Sequence, residues 1–190
     1  MINFFQQYKI LLFQILFISF LTSKNIKCKI CSDEINSEYS IDAWGNTFHS
    51  HHENEGLFCN SCSRIISAGV TNGGYIYPDG RRICSLCKAS VIQTKLETDK
   101  ALYNTSLYLS EIGIDILTNN VSISIVNLND LNKLTGHISE SKLKGFTETI
   151  KISDNNFKYN IFILNGLPKI EFEANLAHEL LHVWLNQKGI

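Results

Sequence analysis

All six cysteines of this 190-residue chain fall between Cys28 and Cys87, and each belongs to a C-x-x-C pair: CKIC (Cys28, Cys31), CNSC (Cys59, Cys62) and CSLC (Cys84, Cys87). Two sulfurs three positions apart on a tight turn can face one point at the ~2.3 Å zinc–sulfur distance, and a structural zinc needs two such pairs to close its tetrahedron. Cys59, Cys62, Cys84 and Cys87 make one complete set. Cys28 and Cys31 leave two vacancies, and FHSHH supplies His49 and His52 at the same spacing, with His51 able to replace one of them. An even cysteine count in a secreted chain also suits disulfides, but the paired spacing favours zinc. Between Cys31 and Cys84 there are few large aliphatics. Such a segment buries too little apolar surface to offset its ordering entropy, so two structural zincs would supply the stabilisation. Trp44, Phe48, Tyr75 and Tyr77 are expected to fill its small cores, with a binding platform as the alternative that the sequence does not separate.

The ligand order, one complete site and then another, is similar to that of a LIM domain, the double zinc finger used for protein contacts. YPDGRRICSLC, with its turn-forming Asp79-Gly80, reads as the second hairpin of that fold. The interval between His52 and Cys59 is six residues, where a LIM domain usually has two. The resemblance implies a LIM-like module over residues 24–90 that engages a protein partner.

Residues 1–23 read as a secretory signal: Lys9, an apolar run from Ile10 to Leu21, then Thr22 and Ser23. The chain is therefore expected to be secreted or periplasmic, and membrane-anchored if the segment is uncleaved. Asn25-Ile26-Lys27 ahead of Cys28 lacks the small residues that lipid modification of that cysteine would want. With 17 Lys+Arg against 18 Asp+Glu, the chain carries no basic excess of the kind that neutralises a phosphate backbone, so nucleic acid is not an expected partner.

Residues 91–190 read as helix, strands, helix, an α+β unit. Ile92, Leu96, Leu102, Tyr103, Leu109 and Ile112 recur at helical spacing, and Gly113 closes the run. VSISIVN (121–127) alternates as a half-buried strand does, and FTETIKI (146–152) and KYNIFIL (158–164), joined by SDNN, read as a hairpin. No internal repeat is evident. Gly166 and Pro168 end the sheet, and a helix is expected from about Glu171 to Gln187 with Gly189 as its stop.

That helix carries LAHELLHVWL. Residues four apart lie one above the other on a helix, so His178 and His182 can aim their rings at one zinc ion. Glu179 stands beside them as the base that would take a proton from a metal-polarised water. An amphipathic helix with two incidental histidines is the bland alternative.

IFILNGLPKIEFEANLAHELLHVWLNQKG resembles the peptidase core of the DA-one-like family, plant peptidases in which a LIM domain precedes a zinc peptidase domain, together with their bacterial relatives. Ile163, Leu164, Gly166, Leu167, Pro168, Leu176, Ala177, His178, Glu179, Leu180, His182, Trp184, Leu185 and Gly189 carry the match. The resemblance implies a zincin-like metallopeptidase core over 91–190 acting on protein or peptide, with His178 and His182 as zinc ligands and Glu179 as catalytic base. The plant relatives' ubiquitin-interacting segments are absent, so no ubiquitin dependence is inferred. In the family a third ligand, a glutamate, lies on a following helix. Glu171 and Glu173 precede His178 on its own helix and do not fit opposite both histidines, so the core is expected to be truncated, and incomplete or inactive. The alternative is a secreted or membrane-tethered LIM-like binding module without catalysis.

Overall fold

The computed structural model describes residues 26–55, 57–136, 143–154 and 156–190; the expected signal segment lies outside them, as does His137, which the sequence reads as an exposed loop histidine and not a ligand. No helix among the described residues is long and apolar enough to cross a membrane. The chain divides into two compact units, Met1–Glu55 and Gly56–Ile190. The second cysteine set thus belongs to the same unit as the carboxy-terminal helix.

In the first unit Cys28 opens a tight turn. Its N–H donates to the Asp33 carbonyl (2.8 Å), and its own carbonyl accepts from Ser32 N–H (3.0 Å). Ser32 adopts a φ of +71° to close the turn. Strand β1 (Tyr39–Ile41) then pairs antiparallel with β2 (Thr47–His49). Between them Asp42 Oδ1 accepts from the backbone N–H groups of Trp44 and Asn46, each at 2.9 Å, the side-chain mimicry of a turn that Asp supplies. His49 ends β2, and a 3-10 turn over Ser50–Asn54 carries His52.

The second unit starts on the same plan. Cys59 N–H donates to Arg64 O (2.9 Å), Ser63 N–H donates to Cys59 O (2.8 Å), and Ser63 has a φ of +59°. A short helix, α1 (Ala68–Thr71), precedes β3 (Gly74–Ile76), which pairs antiparallel with β4 (Arg82–Cys84). Cys84 ends β4 and caps α2 (Ser85–Lys88), accepting the Cys87 N–H on its sulfur at 3.4 Å. Both modules therefore run turn, hairpin, helical turn, and place their last two ligands at the strand end and on the turn after it. No repeat is visible in the residues because one module uses His-x-x-His where the other uses Cys-x-x-Cys. Phe48 is buried and Tyr77 half-buried, but Trp44 and Tyr75 are 55% and 42% exposed and fill no core.

Helix α3 (Lys95–Glu111) begins on a capping box: Thr94 Oγ1 accepts from Glu97 N–H, and the Glu97 carboxylate accepts from Thr94 N–H at 2.9 Å. Its buried side is Thr98, Ala101, Thr105 and Leu109, while Leu96, Tyr103 and Ile112 are exposed. The apolar spacing in the sequence thus marks the buried side only in part: Ile92 and Leu109 are buried and Leu102 packs against the core, while the other three face solvent. Small residues make up the rest of the buried side, where they leave room for a neighbouring helix to come close.

The main sheet has the order β5-β7-β6, with β5 (Val121–Val126) parallel to β7 (Asn156–Leu164) and β6 (Gly145–Ser153) antiparallel to it. The hairpin read from the sequence is β6–β7. Helix α4 (Leu128–Thr135) follows β5 and is capped by Asn127, whose Oδ1 accepts from Asp130 N–H at 2.9 Å. Tyr159, Ile161 and Ile163 recur every second residue on β7. They share one buried cluster with Ala101 and Leu109 of α3 and with Phe172, Leu176, Leu180 and Val183 of α5 (Lys169–Lys188). Gly189, at φ +73°, ends α5.

Gly166, in the turn before α5, has a φ of +78°, and an added Cβ would lie 2.3 Å from Tyr77 Cζ. Gly166→Ala is expected to lower the stability of the second unit by about 2–4 kcal/mol, strain and overlap together. Denaturant unfolding followed by Trp184 fluorescence would read this, and an unchanged midpoint would contradict the packing described.

Candidate metal centres and the H-E-x-x-H helix

None of the six cysteines is in a disulfide. The ligand atoms of Cys28, Cys31, His49 and His52 lie within 4.8 Å of one another, and so do those of Cys59, Cys62, Cys84 and Cys87. Both sets are those expected from spacing, and both suit a metal ion such as zinc. Donors at tetrahedral corners, 2.3 Å (sulfur) and 2.0–2.1 Å (nitrogen) from one centre, stand about 3.8 Å apart for two sulfurs and about 3.5 Å for sulfur and nitrogen. Cys62 Sγ and Cys84 Sγ are 3.8 Å apart, and Cys31 Sγ is 3.4 Å from His49 Nδ1.

His52 gives a chemical test of the first set. Its Nδ1 meets Glu55 Oε2 at 2.8 Å, while its buried Nε2 has no hydrogen-bond partner. An orphaned buried nitrogen costs free energy unless something else takes its lone pair. A carboxylate on one ring nitrogen and a cation on the other is the usual arrangement of a ligating histidine. His51 is exposed, and its ring lies within 4.8 Å of the ligand atoms of His52 and Glu55.

The sulfurs behave as donors crowded around one point. Burial opposes ionisation of Cys28, but N–H groups of Cys31, His49 and Ile30 outweigh it and bring its thiol down to about 6. In the four-cysteine set burial is likewise outweighed at Cys59 by the N–H groups of Cys84, Cys62 and Ser61, and its thiol is lowered. Cys87 is pushed up by burial and by the sulfurs of Cys62, Cys59 and Cys84. One thiolate forms readily there and its neighbours resist a second, a repulsion that a divalent cation would remove.

On α5, His178 and His182 are exposed and their Nε2 atoms are 3.2 Å apart. Two nitrogens on one tetrahedral zinc would be about 3.3 Å apart. Among the described residues no third His, Cys, Asp or Glu donor joins them within 4.8 Å. Glu171 is paired with Lys144, and Glu173 lies 3.7 Å from Lys169, so neither supplies that ligand.

Comparison with family models, curated proteins and solved structures returns no match.

Glu179 is buried, one hundred degrees round the helix from His178, and turned toward β6. Thr147 Oγ1 donates to Glu179 Oε2 at 2.7 Å and lies 3.3 Å from the Glu179 carbonyl. Gly145 makes the approach feasible, since a Cβ there would stand 2.7 Å from Glu179 Oε1 and 3.0 Å from its Cγ. Sequence reasoning missed Gly145 and Thr147, although period-2 alternation does place both on one face of β6. Gly145→Ala is expected to displace the Glu179 carboxylate while leaving the cysteine sites filled. A crystal structure of the variant would show it, and an unmoved carboxylate would contradict the stated closeness.

Proposed function

We propose that this chain is a zinc-dependent peptidase of the DA-one-like type, with a LIM-like double zinc finger ahead of a zincin-like core. The observation that carries the proposal is the conjunction on α5 and β6: two histidine nitrogens at zinc-chelating separation, and between helix and strand a buried carboxylate held by a threonine. An incidental pair of surface histidines would need no such carboxylate.

In this reading His178 and His182 hold the catalytic zinc through Nε2, and Cys28, Cys31, His49 and His52, with Cys59, Cys62, Cys84 and Cys87, hold two structural zincs. A catalytic zinc takes a third protein ligand, and none lies within reach among the described residues, so the site they make is incomplete and turnover requires a donor from outside them. When bound, zinc supplies Lewis acidity toward a water and a peptide carbonyl. Glu179 takes the proton from the attacking water and hands it to the leaving amine. Thr147, as donor to Oε2, holds the carboxylate in place. Strand β6 is an edge of the sheet and pairs with no other described strand on its outer side, so an extended peptide could hydrogen-bond along it close to Glu179. The signal-like residues 1–23 favour action outside the cytoplasm.

The test is to incubate the zinc-loaded chain with an unfolded protein and identify new amino termini by mass spectrometry. Cleavage by the wild type, lost on chelation and in His178→Ala with His182→Ala, is expected. Equal cleavage by both proteins would point to a contaminant, and no cleavage by the zinc-loaded wild type would mean the site is unfinished; either result would overturn the proposal of an active peptidase.

A second reading, protein binding through the first module without catalysis, is favoured by Tyr39, Ile41 and Trp44. These are 44%, 58% and 55% exposed on one hairpin, and aromatic residues of this kind anchor interfaces.

A further inference from the structure

Helix α5 begins without a side-chain cap. Pro168 occupies the capping position and offers no donor or acceptor beyond its carbonyl. The first helical N–H, of Lys169, donates instead to the Ser90 carbonyl at 2.7 Å. Ser90 is itself fixed three residues after a metal-site cysteine, its N–H and its hydroxyl both donating to the Cys87 carbonyl at 3.1 Å. Ile92 N–H donates to Leu167 O at 3.3 Å, and Val91 bridges to Pro168.

A second tie enters from the other end of the same module. Arg81 donates from Nη1 to the Asn165 carbonyl (2.8 Å) and from Nη2 to Asn165 Oδ1 (2.7 Å). Asp79 holds the guanidinium from behind, accepting from Nε at 2.9 Å and Nη2 at 2.8 Å on one oxygen. Both side chains are largely buried, so the fork is screened little by solvent. Tyr77 stacks over Arg81 with 4.9 Å between Cζ and the ring centre, and lies against Gly166. The turn 165–168, which launches the H-E-x-x-H helix, is thus clamped by the four-cysteine module at both of its ends.

We propose that Arg81 is a positioning residue for the H-E-x-x-H site, and that the four-cysteine module acts through Arg81 and Ser90 as the anchored start of helix α5. The functional part of this rests on the peptidase reading above; the anchoring itself does not. Neither Arg81 nor Ser90 touches the histidines. They fix where α5 starts, and a rigid helix transmits that placement along its length to His178 and His182.

The experiment uses the full zinc-loaded chain and compares it with Arg81→Gln, Arg81→Lys and Asn165→Asp. Amide hydrogen exchange is read over residues 167–176 against β7 and against the turn 58–65. Arg81→Gln should raise exchange over 167–176 by about tenfold or more, with the other two segments unchanged. Lysine keeps the charge beside Asp79 but cannot reach both Asn165 oxygens, so Arg81→Lys should lose protection as Arg81→Gln does, whereas Asn165→Asp keeps both acceptors of the fork and should keep it. Unchanged protection over 167–176 in Arg81→Gln, or an equal loss in all three segments, would overturn the proposal. Zinc titration at His178 and His182, followed by their imidazole NMR signals, is read in parallel. If the wild type takes up no zinc there, the peptidase reading fails while the exchange data still decide the anchoring.

Discussion

Cys84→Ser should unfold residues 57–92 as a piece and remove one zinc per chain. Cys84 is fully buried, its sulfur accepts the Cys87 N–H, and it stands 3.8 Å from Cys62 Sγ. Structural zinc in small modules contributes about 10–16 kcal/mol at neutral pH, against a net stability of about 5–15 kcal/mol for a whole domain. Loss of the metal therefore exceeds the margin that holds the module. The buried cluster of α3, β7 and α5 does not include these cysteines, so it should persist in part. Zinc analysis with hydrogen exchange is the check. A variant that keeps both its zinc and the protection of 58–65 would show that the sulfurs are ordinary core residues.

Glu179→Gln should leave the fold and the metal content intact and lower peptide hydrolysis by about 10²–10⁴-fold, the range for loss of a general acid–base group. The amide is isosteric, and its oxygen can still accept from Thr147, so the helix has no reason to move. Unaltered turnover would remove Glu179 from the chemistry. A fall in zinc content would mean that it acts on the ligands instead of on the water.

What could be read from the sequence was local. A C-x-x-C turn brings its two sulfurs together within four residues, and the H-E-x-x-H pair needs only one helical turn, so both were visible as spacing. The β6–β7 hairpin was legible for the same reason. The parallel pairing of β5 with β7 was not, because α4 and β6 intervene. Nor was the union of the second cysteine module with the core, which depends on Arg81 finding Asn165, eighty-four residues away. The apolar period of α3 was informative only in part, because Leu102 and Leu109 meet the core but so do Thr98, Ala101 and Thr105, which the pattern does not mark. Leu96 and Tyr103, which set the period, face solvent. Glu179 was recognised by its motif, but its setting rests on an absent side chain at Gly145, which nothing in the local pattern marks.

The most direct test of the account is a count of zinc per chain by elemental mass spectrometry on protein purified without chelator, for the wild type and for His178→Ala with His182→Ala. Three are expected in the wild type, one for each cysteine-containing set and one for the paired histidines, and two in the variant. The same number in both would mean that the H-E-x-x-H helix holds no metal, and would contradict the proposed peptidase site.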